Sequence, residues 1–484
     1  MNMNSKKFMA GLMAMSMAFG LTACGGNSDD SSSTDETTAT TTTAATVAVN
    51  TEGLKEDEEE VLEDSMSQLV DTELENKEIK WLAHYDINPS TNGASKKVEI
   101  EMFEKKYGGT IKYYPTTWDN RYNDLSTYVL GGEGIDFFPS DANNLPKGIV
   151  SGMFQPVDDY IDLDSAIWSN TKSAMELLNF GGKHYQFVTG VTAEQVVIYS
   201  TATLEANGLE DPWDLYEAGE WNWDTFKQML LDFVDEDSDQ WGLDGWYNEK
   251  ALFLSAGVPT VEAVDGKLVC NINDATVEKA MNYQYDLYNS GLVLPLEQFN
   301  WSIQPQYMGE GRELFFLNGT WGIEGDPETW STKIDPEDLG IAPVPSPAGS
   351  DPYQSAVLNG FVLCKGAANP EGVARFAECT ILASTDENAI AISDRKAKDD
   401  SHWSDEIIAR NKAINELARQ YPVVDLAQGC STDIASLTID GGSEIGTRAA
   451  FHGTDWASNR EAIADTIIML VDEVDQQLQT VANS

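Results

Sequence analysis

The sequence has few basic residues and few histidines. Its 484 residues include 30 lysines and arginines against 80 aspartates and glutamates, which gives a formal net charge of -50. A chain of this charge is repelled by nucleic acid and by anionic membrane surfaces, so we expect neither as a binding partner. The four histidines, His84, His184, His402 and His452, are widely separated. We therefore predict no metal site and no cofactor.

Cysteine is equally scarce, and the common catalytic motifs are missing. Five cysteines occur without a Cys-x-x-Cys pair, and besides Cys24 they are Cys270, Cys364, Cys379 and Cys430. These four are either buried apolar side chains or partners in one or two disulfides. The sequence contains no phosphate-binding glycine loop, His-Glu-x-x-His, Gly-x-Ser-x-Gly or dinucleotide-binding pattern. Paired carboxylates remain, but 80 acidic residues form such pairs by chance. We therefore do not expect an enzyme.

A long apolar run is found only near the N-terminus. Lys6 and Lys7 precede an apolar stretch at 8–21, which is too short to span a bilayer comfortably and ends shortly before Cys24. This pattern predicts a lipoprotein signal peptide at 1–23, whose removal leaves Cys24 as the lipidated N-terminus. The alternative is an ordinary secretory signal with an incidental cysteine. No later stretch is long and apolar enough for a transmembrane helix, so we expect a soluble protein tethered at the extracellular face of the bacterial cell membrane.

The segment after Cys24 has the composition of a tether. Residues 25–49 are mostly serine, threonine, alanine and aspartate, which cannot bury enough apolar surface to fold. Between 54 and 74, apolar residues recur at helical spacing within an acidic background. This spacing predicts an amphipathic helix that leads off the tether. The alternative is a solvated stalk with transient helicity.

Strands and helices alternate in the rest of the chain. Runs typical of strands at 78–83, 110–114 and 135–138 are separated by helical patterns at 98–108 and 120–130. This alternation predicts an α/β fold with a parallel sheet. Further along, we predict a strand at 195–199, an extended segment at 321–323, and helices at 223–233, 276–288 and 459–479.

The order of these segments resembles the extracellular solute-binding proteins of ATP-driven sugar importers, the family that includes maltose-binding protein. The resemblance extends from about residue 77 to the end of the chain. One departure is Ile135, where the family usually has proline. The stretches that carry the resemblance lie at 103–108, 130–136, 181–185, 204–209, 221–226, 317–321, 341–345 and 369–376.

The resemblance implies two α/β lobes joined by crossing segments, with a ligand held in the cleft between them. It implies that a monomer captures an oligosaccharide and delivers it to the permease subunits of an ABC transporter. Two alternatives are a surface glycoside hydrolase, which would place two carboxylates in the cleft, and a carbohydrate sensor or adhesin. The expected boundaries are 1–23 for the signal peptide, 24–76 for the tether and acidic helix, 77–190 and 350–400 for the first lobe, and 191–349 and 401–484 for the second lobe.

Sugars present apolar C–H faces ringed by hydroxyl groups, so their binders use flat aromatic rings and planar polar side chains. Such side chains follow each of the first three predicted strands, at the edge where open α/β sheets bind ligands. The resemblance places a sugar-stacking ring at Trp321, and further aromatics at Trp246 and Tyr247. The alternative for each ring is core packing. At Asn143 the maltose binder has a carboxylate. The predicted ligand-binding residues are Tyr85, Asp86, Trp118, Asp119, Asp141, Asn143, Asn144, Trp246, Tyr247, Trp321 and Trp456.

One acidic stretch partly matches a calcium-binding loop. Asp235, Asp237 and Asp239 alternate as calcium ligands do, but Gln240 replaces the required glycine and Trp246 stands where a bidentate glutamate belongs. We interpret this stretch as a solvated acidic turn.

Overall fold

The computed structural model describes residue 54 and residues 56–88, 96–246, 248–438 and 445–482. The strands are β1 (Glu78–Ala83), β2 (Thr110–Pro115), β3 (Phe137–Pro139), β4 (Asn179–Phe180), β5 (Lys183–His184), β6 (Gln186–Ala193), β7 (Val196–Ser200), β8 (Trp241–Gly245), β9 (Val261–Val264), β10 (Lys267–Cys270), β11 (Glu313–Asn318), β12 (Leu339–Ala342), β13 (Gln354–Leu363) and β14 (Pro422–Val423).

The α-helices lie before, between and after these strands. They are α1 (Glu56–Ser65), α2 (Val98–Tyr107), α3 (Arg121–Gly131), α4 (Lys147–Val150), α5 (Lys172–Glu176), α6 (Thr201–Asn207), α7 (Pro212–Glu217), α8 (Trp223–Phe233), α9 (Asn248–Leu254), α10 (Ala275–Asn289), α11 (Pro370–Thr385), α12 (Glu387–Ser401), α13 (Asp405–Gln420), α14 (Ala427–Cys430), α15 (Thr432–Thr438), α16 (Thr447–His452) and α17 (Trp456–Ala482).

The first lobe is built on a mixed sheet. Its strand order is β14-β13-β3-β1-β2, with β6 beside β13. Strands β1, β2 and β3 are parallel, as predicted, and β3 begins two residues later than expected. Strand β13 runs antiparallel to both β3 and β6. The sheet is therefore mixed and not wholly parallel.

The second lobe has its own sheet, in the order β12-β7-β11-β8. Strands β8 and β11 are parallel, whereas β7 is antiparallel to both β11 and β12. A separate core packs around this sheet and includes Tyr199, Phe226, Phe315 and Ile341. The molecule is therefore a two-lobed α/β protein, as predicted.

The register of the strands places the carboxyl edges of both sheets beside the crossing segments. Strand β6 passes into β7 through Glu194 and Gln195. In the second sheet Asn318, at the end of β11, pairs with Val196 at the start of β7. In the first sheet β3 runs in the same direction as β6, since both are antiparallel to β13. Loops that follow β1, β2, β3, β8 and β11 therefore face the same crossing region.

The acidic segment before the first strand docks on the first lobe. It forms helix α1 and a single 3-10 turn, Met66–Gln68, which is a shorter helix than predicted. Leu62, Met66 and Leu69 are buried in the core of that lobe. The guanidinium of Arg395 binds the Glu58 carboxylate with Nε at 2.6 Å from Oε1 and Nη2 at 3.0 Å from Oε2. Within the described residues this segment is therefore a docked element and not a solvated stalk.

The C-terminal helix α17 contacts both lobes. Ile463, Ile467 and Val471 belong to the core cluster that contains Trp81 of β1. The same helix also contacts α4 of the first lobe and α10 of the second. It begins at Trp456, earlier than predicted.

The structure also bears on the predictions for residues 321–323 and for the cysteines. Residues 321–323, predicted to be extended, lie in a 3-10 helix, Thr320–Ile323, because the chain turns sharply at the end of β11. The four described cysteines are free thiols, and three of them are buried. Among the described residues, no helix has the length and apolar character needed to span a membrane.

Candidate functional site

Three loops of the first lobe converge at the carboxyl edge of its sheet. The ring of His84, after β1, lies edge-on to the ring of Trp118, after β2, at a centroid distance of 5.0 Å. His84 also packs against Tyr85, whose ring centroid is 4.9 Å away. The predicted residues Tyr85 and Trp118 are thus brought together. Burial, followed by the nearby Arg121 charge, lowers the pKa of His84, so its ring is neutral at neutral pH.

Arg121 organises this cluster, and it is not among the residues that the sequence predicts. Its guanidinium carbon lies 3.6 Å from the centre of the Trp118 ring. Its Nη2 atom binds Oδ2 of Asp141 at 3.1 Å, and both side chains are largely buried. Arg121 therefore supports the indole from one face while Asp141 neutralises its charge. The sequence signal is an arginine three residues after a loop tryptophan, which is too common to be specific.

The loop after β3 is held by its own polar side chains. Asp141 Oδ1 accepts hydrogen bonds from the Asn143 backbone at 2.8 Å and from its side chain at 3.0 Å. Asn144 is buried, donates to the Pro139 carbonyl at 2.8 Å and accepts from the Tyr122 hydroxyl at 3.1 Å. The structure therefore gives Asn144 a supporting position within the loop.

The two remaining carboxylates of this edge differ in exposure. Asp119 is exposed beside Trp118, whereas Asp86 is half-buried. Oδ1 of Asp86 accepts a hydrogen bond from the Asn88 backbone at 2.9 Å. Asp119 is therefore better placed than Asp86 to meet a hydroxyl group in the space beyond the indole.

The second lobe presents exposed indoles at the corresponding edge. Trp246 follows β8, Trp321 follows β11, and the two residues are 38% and 63% exposed. The Trp321 ring lies over Gly319, where an added Cβ would stand 2.2 Å from Nε1 of the indole and 3.2 Å from the Glu194 carbonyl oxygen. Trp321 is thus beside the crossing segment, and glycine at 319 is required for the ring to lie there.

Other predicted aromatic residues lie elsewhere. Trp456 begins α17 with 1% of its surface exposed, so its ring packs in the core and does not reach the edge. Packing in the core is therefore enough to explain a tryptophan at this position. Tyr247 lies outside the described residues. Trp301 is 43% exposed in the loop between α10 and β11.

A polar cluster ties the two crossing segments to the second lobe. Lys250 of α9 binds Oε1 of Glu194 at 2.7 Å, and the Ser355 hydroxyl of β13 donates to Oε2 of the same carboxylate. The Glu194 backbone also donates to the Ser355 carbonyl at 2.8 Å. The sequence does not predict this cluster, because Glu194 and Ser355 are distant in the chain. Its charges are paired, so it supplies no excess charge at the crossing.

The arrangement suits recognition of an uncharged molecule. Indole rings from both lobes offer flat apolar faces, and loop carboxylates and amides offer hydrogen-bonding groups around them. Among the residues that the structure describes, no group of three or more His, Cys, Asp or Glu side chains is placed to hold a metal ion. The aspartates of 235–239 are used internally, since Asp239 pairs with Arg312 and accepts from Trp241 Nε1.

A family comparison identifies this architecture. The profile of the family described as bacterial extracellular solute-binding protein matches residues 100–396, more than half of the chain. The chain belongs to this family. Members of this family are binding proteins. In this solute-binding protein, the docked helix α1 precedes the residues that match the family profile.

Solved structures share the fold of this solute-binding protein at low sequence identity. A cyclo/maltodextrin-binding protein complexed with maltotetraose is 16% identical, with a TM-score of 0.57 over 82% of this chain and 97% of that one. An extracellular solute-binding protein from Staphylococcus aureus in complex with maltose is 12% identical, with a TM-score of 0.54 over 84% and 98%. An ABC substrate-binding protein from Listeria monocytogenes in complex with cycloalternan is 14% identical, with a TM-score of 0.53 over 82% and 100%.

Proposed function

We propose that this solute-binding protein captures a neutral oligosaccharide between its lobes and delivers it to the membrane subunits of an ABC transporter. The observation that carries the proposal is the placement of exposed indoles, Trp118 in one lobe and Trp246 and Trp321 in the other, at edges that flank the same crossing segments. Closure of the lobes would bring these rings onto opposite sides of a ligand.

The chemistry of the site favours sugar over anionic solutes. An anion would need unpaired cationic side chains, but Arg121 is paired with Asp141 and Lys250 with Glu194. A pyranose ring instead offers C–H faces to indoles and hydroxyl groups to carboxylates and amides. The solved neighbours named for maltotetraose, maltose and cycloalternan support the same class of ligand.

Within the site, Trp118 and Trp321 are the proposed stacking rings, with Trp246 beside them. Tyr85, Asp119, Asp141 and Asn143 supply polar contacts, and Asp86 and Tyr247 remain candidates. We retain the lobe division expected from the sequence, with 77–190 and 350–400 as the first lobe and 191–349 and 401–484 as the second, except that β14 pairs with β13 and so belongs to the sheet of the first lobe. We also propose that Cys24 is lipidated and that the protein acts as a monomer.

Calorimetric titration with a panel of neutral tetrasaccharides tests the function directly. We expect micromolar binding of at least one member, and chromatography of the recovered sugar should show it unshortened. Shortened products would instead identify a glycoside hydrolase, and absence of binding across the panel would contradict carbohydrate capture.

A separate experiment tests the lipid anchor. If the Cys24→Ala protein associates with the membrane as firmly as the wild type does, lipidation of Cys24 is contradicted.

A further inference from the structure

The turn that carries Trp321 depends on contacts beyond its own residues. It is the 3-10 helix Thr320–Ile323 at the end of β11, in which Trp321 is exposed and Ile323 is fully buried. Glu324, which follows, has an extended backbone with a φ of -95° and a ψ of 157°. The helical conformation therefore ends at Ile323, and the position of the indole depends on what binds the backbone from there on.

Two buried side chains bind this backbone. Nε1 of Trp403 donates to the Ile323 carbonyl at 2.7 Å. The Gly325 backbone donates to Oγ of Ser401 at 2.8 Å. Because both side chains are buried, loss of either one would leave a polar backbone group unpaired and shielded from water, which is unfavourable. The two bonds therefore fix the chain on both sides of Glu324.

The segment that supplies these side chains is fixed by its own hydrogen bonds. It comprises residues 401–404, where α12 ends and α13 begins. His402 has a φ of 54°, and its backbone donates to the Lys398 carbonyl at 3.1 Å. Oγ of Ser404 accepts a hydrogen bond from the Ile407 backbone at 3.1 Å and so caps the start of α13. The segment can therefore impose its own position on the Trp321 turn.

Helix α12 passes from one lobe to the other. Ala389 and Ile392 pack in the core of the first lobe, whereas Ala397 packs against the core of the second. Trp403 and Ile323 both belong to that second core, although they are 80 residues apart in the chain. The Trp321 turn is therefore joined to the place where the chain enters the second lobe from the first.

We propose that Trp403 and Ser401 are positioning residues for ligand binding, which hold the turn so that the Trp321 indole is in place before a ligand arrives. The inference rests on the proposed capture of an oligosaccharide through Trp321. Neither positioning residue touches the ligand, because both side chains are buried. A ring that is ordered in advance loses less conformational freedom on binding, so the two bonds raise the affinity without a ligand contact of their own.

Calorimetric titration of the full mature chain with maltotetraose, cellotetraose and xylotetraose tests the proposal. Trp403→Phe removes the indole N–H and keeps an aromatic ring in the core. We expect it to weaken binding of the tightest tetrasaccharide roughly tenfold, because the unpaired Ile323 carbonyl lets the turn rearrange. Ser401→Ala removes the other bond independently, and we expect it to weaken binding several-fold.

Trp241→Phe is the matched control. Trp241 is a buried indole of the same lobe, and its Nε1 atom donates to Oδ1 of Asp239 at 3.0 Å. It is the first residue of β8, so this bond lies at the amino end of the strand and away from the Trp321 turn. We expect the control to lower the melting temperature, as Trp403→Phe does, and to bind the tetrasaccharide as the wild type does.

A double-mutant cycle separates positioning from general damage. In a Trp321→Ala background no ring remains to be positioned, so the addition of Trp403→Phe should leave the affinity unchanged. A purely structural role of Trp403 would lower the melting temperature in both backgrounds and leave the affinity of the folded protein unchanged in both.

The outcomes distinguish this proposal from the proposed function. If the wild type binds a tetrasaccharide and Trp403→Phe and Ser401→Ala bind it equally well, positioning is overturned while carbohydrate capture stands. Should Trp403→Phe fail to fold, Ser401→Ala decides by the same measurement. An equal loss of affinity with and without the Trp321 ring would also overturn positioning, as would wild-type affinity in Trp321→Ala. If the wild type binds no member of the panel, carbohydrate capture fails, and positioning fails with it.

Discussion

At the scale of single residues, Trp321 has a ring that rests on Gly319 beside the crossing segment and is mostly exposed. Replacing it with alanine should cost about 2–4 kcal/mol of binding, roughly thirty-fold or more in affinity, if the ring covers a sugar face. Stability should change little, because little of the ring is buried. Calorimetry and thermal melting of Trp321→Ala check both parts.

The opposite pattern would assign Trp321 to packing. In that case the variant would lose several degrees in melting temperature, and the surviving folded protein would bind with unchanged affinity. Leu231→Ala is a suitable control, since Leu231 is an exposed apolar residue of α8 in the same lobe.

At the scale of elements, β8 and β11 bury two carboxyl groups beside each other. Burial raises the pKa of Asp244 to about 7, and burial together with the Asp244 charge raises the pKa of Glu313 well above its usual range. The folded protein therefore keeps protons that the unfolded chain releases at lower pH. The stabilising effect is complete below about pH 4, where the unfolded Asp244 titrates, and is lost as the pH rises through about 7.

We predict that Glu313→Gln reduces this loss of stability with rising pH. The amide keeps the shape of the side chain but removes a buried group that would otherwise ionise. Urea unfolding at pH 5 and pH 8 should show a smaller difference for the variant than for the wild type. Glu310→Gln, on the exposed turn before β11, is the control. Equal pH differences in all three proteins would contradict the prediction.

The docked segment before β1 contributes to the stability of the first lobe. Leu62 is fully buried against that lobe, whereas its neighbour Val61 is partly exposed. Leu62→Ala should therefore lower the free energy of unfolding by about 2–5 kcal/mol, the usual cost of a large cavity in a core. Val61→Ala should change it by much less. If urea unfolding gives the same free energy of unfolding for both variants, α1 does not pack stably on the lobe in solution.

At the scale of the whole molecule, the two lobes should close around the ligand. Among the described residues, α13 contacts β6 of the first sheet and β12 of the second, α17 contacts α4 and α10, and the proposed stacking rings lie at the sheet edges that flank the crossing segments. Small-angle scattering should show a smaller radius of gyration with a saturating tetrasaccharide than without it. An unchanged radius in the presence of measured binding would contradict a hinged mechanism. Lys250→Met removes the charged partner of Glu194. If the Glu194 contact holds the crossing segments in their present arrangement, this variant should have a different radius of gyration from the wild type without ligand.

The sequence by itself determined the local elements and the class of protein. Alternating strand and helix patterns predicted β1, α2, β2 and α3 closely, because hydrophobic periodicity and glycine at helix ends act over a few residues. The same patterns placed Trp118 after a predicted strand, and the family resemblance placed Trp246 in a loop and Trp321 at a turn. The interpretation of Trp321 as a ligand contact remains a prediction.

Only the tertiary structure decided which of these residues meet. The Arg121 pair with Asp141 depends on the lateral order of β2, β1 and β3, and the contact of Glu194 with Ser355 depends on strands that are far apart in the chain. The burial of Trp456 likewise depends on packing between distant segments. Sequence periodicity reports one element at a time, whereas contacts between loops follow from register and sheet order.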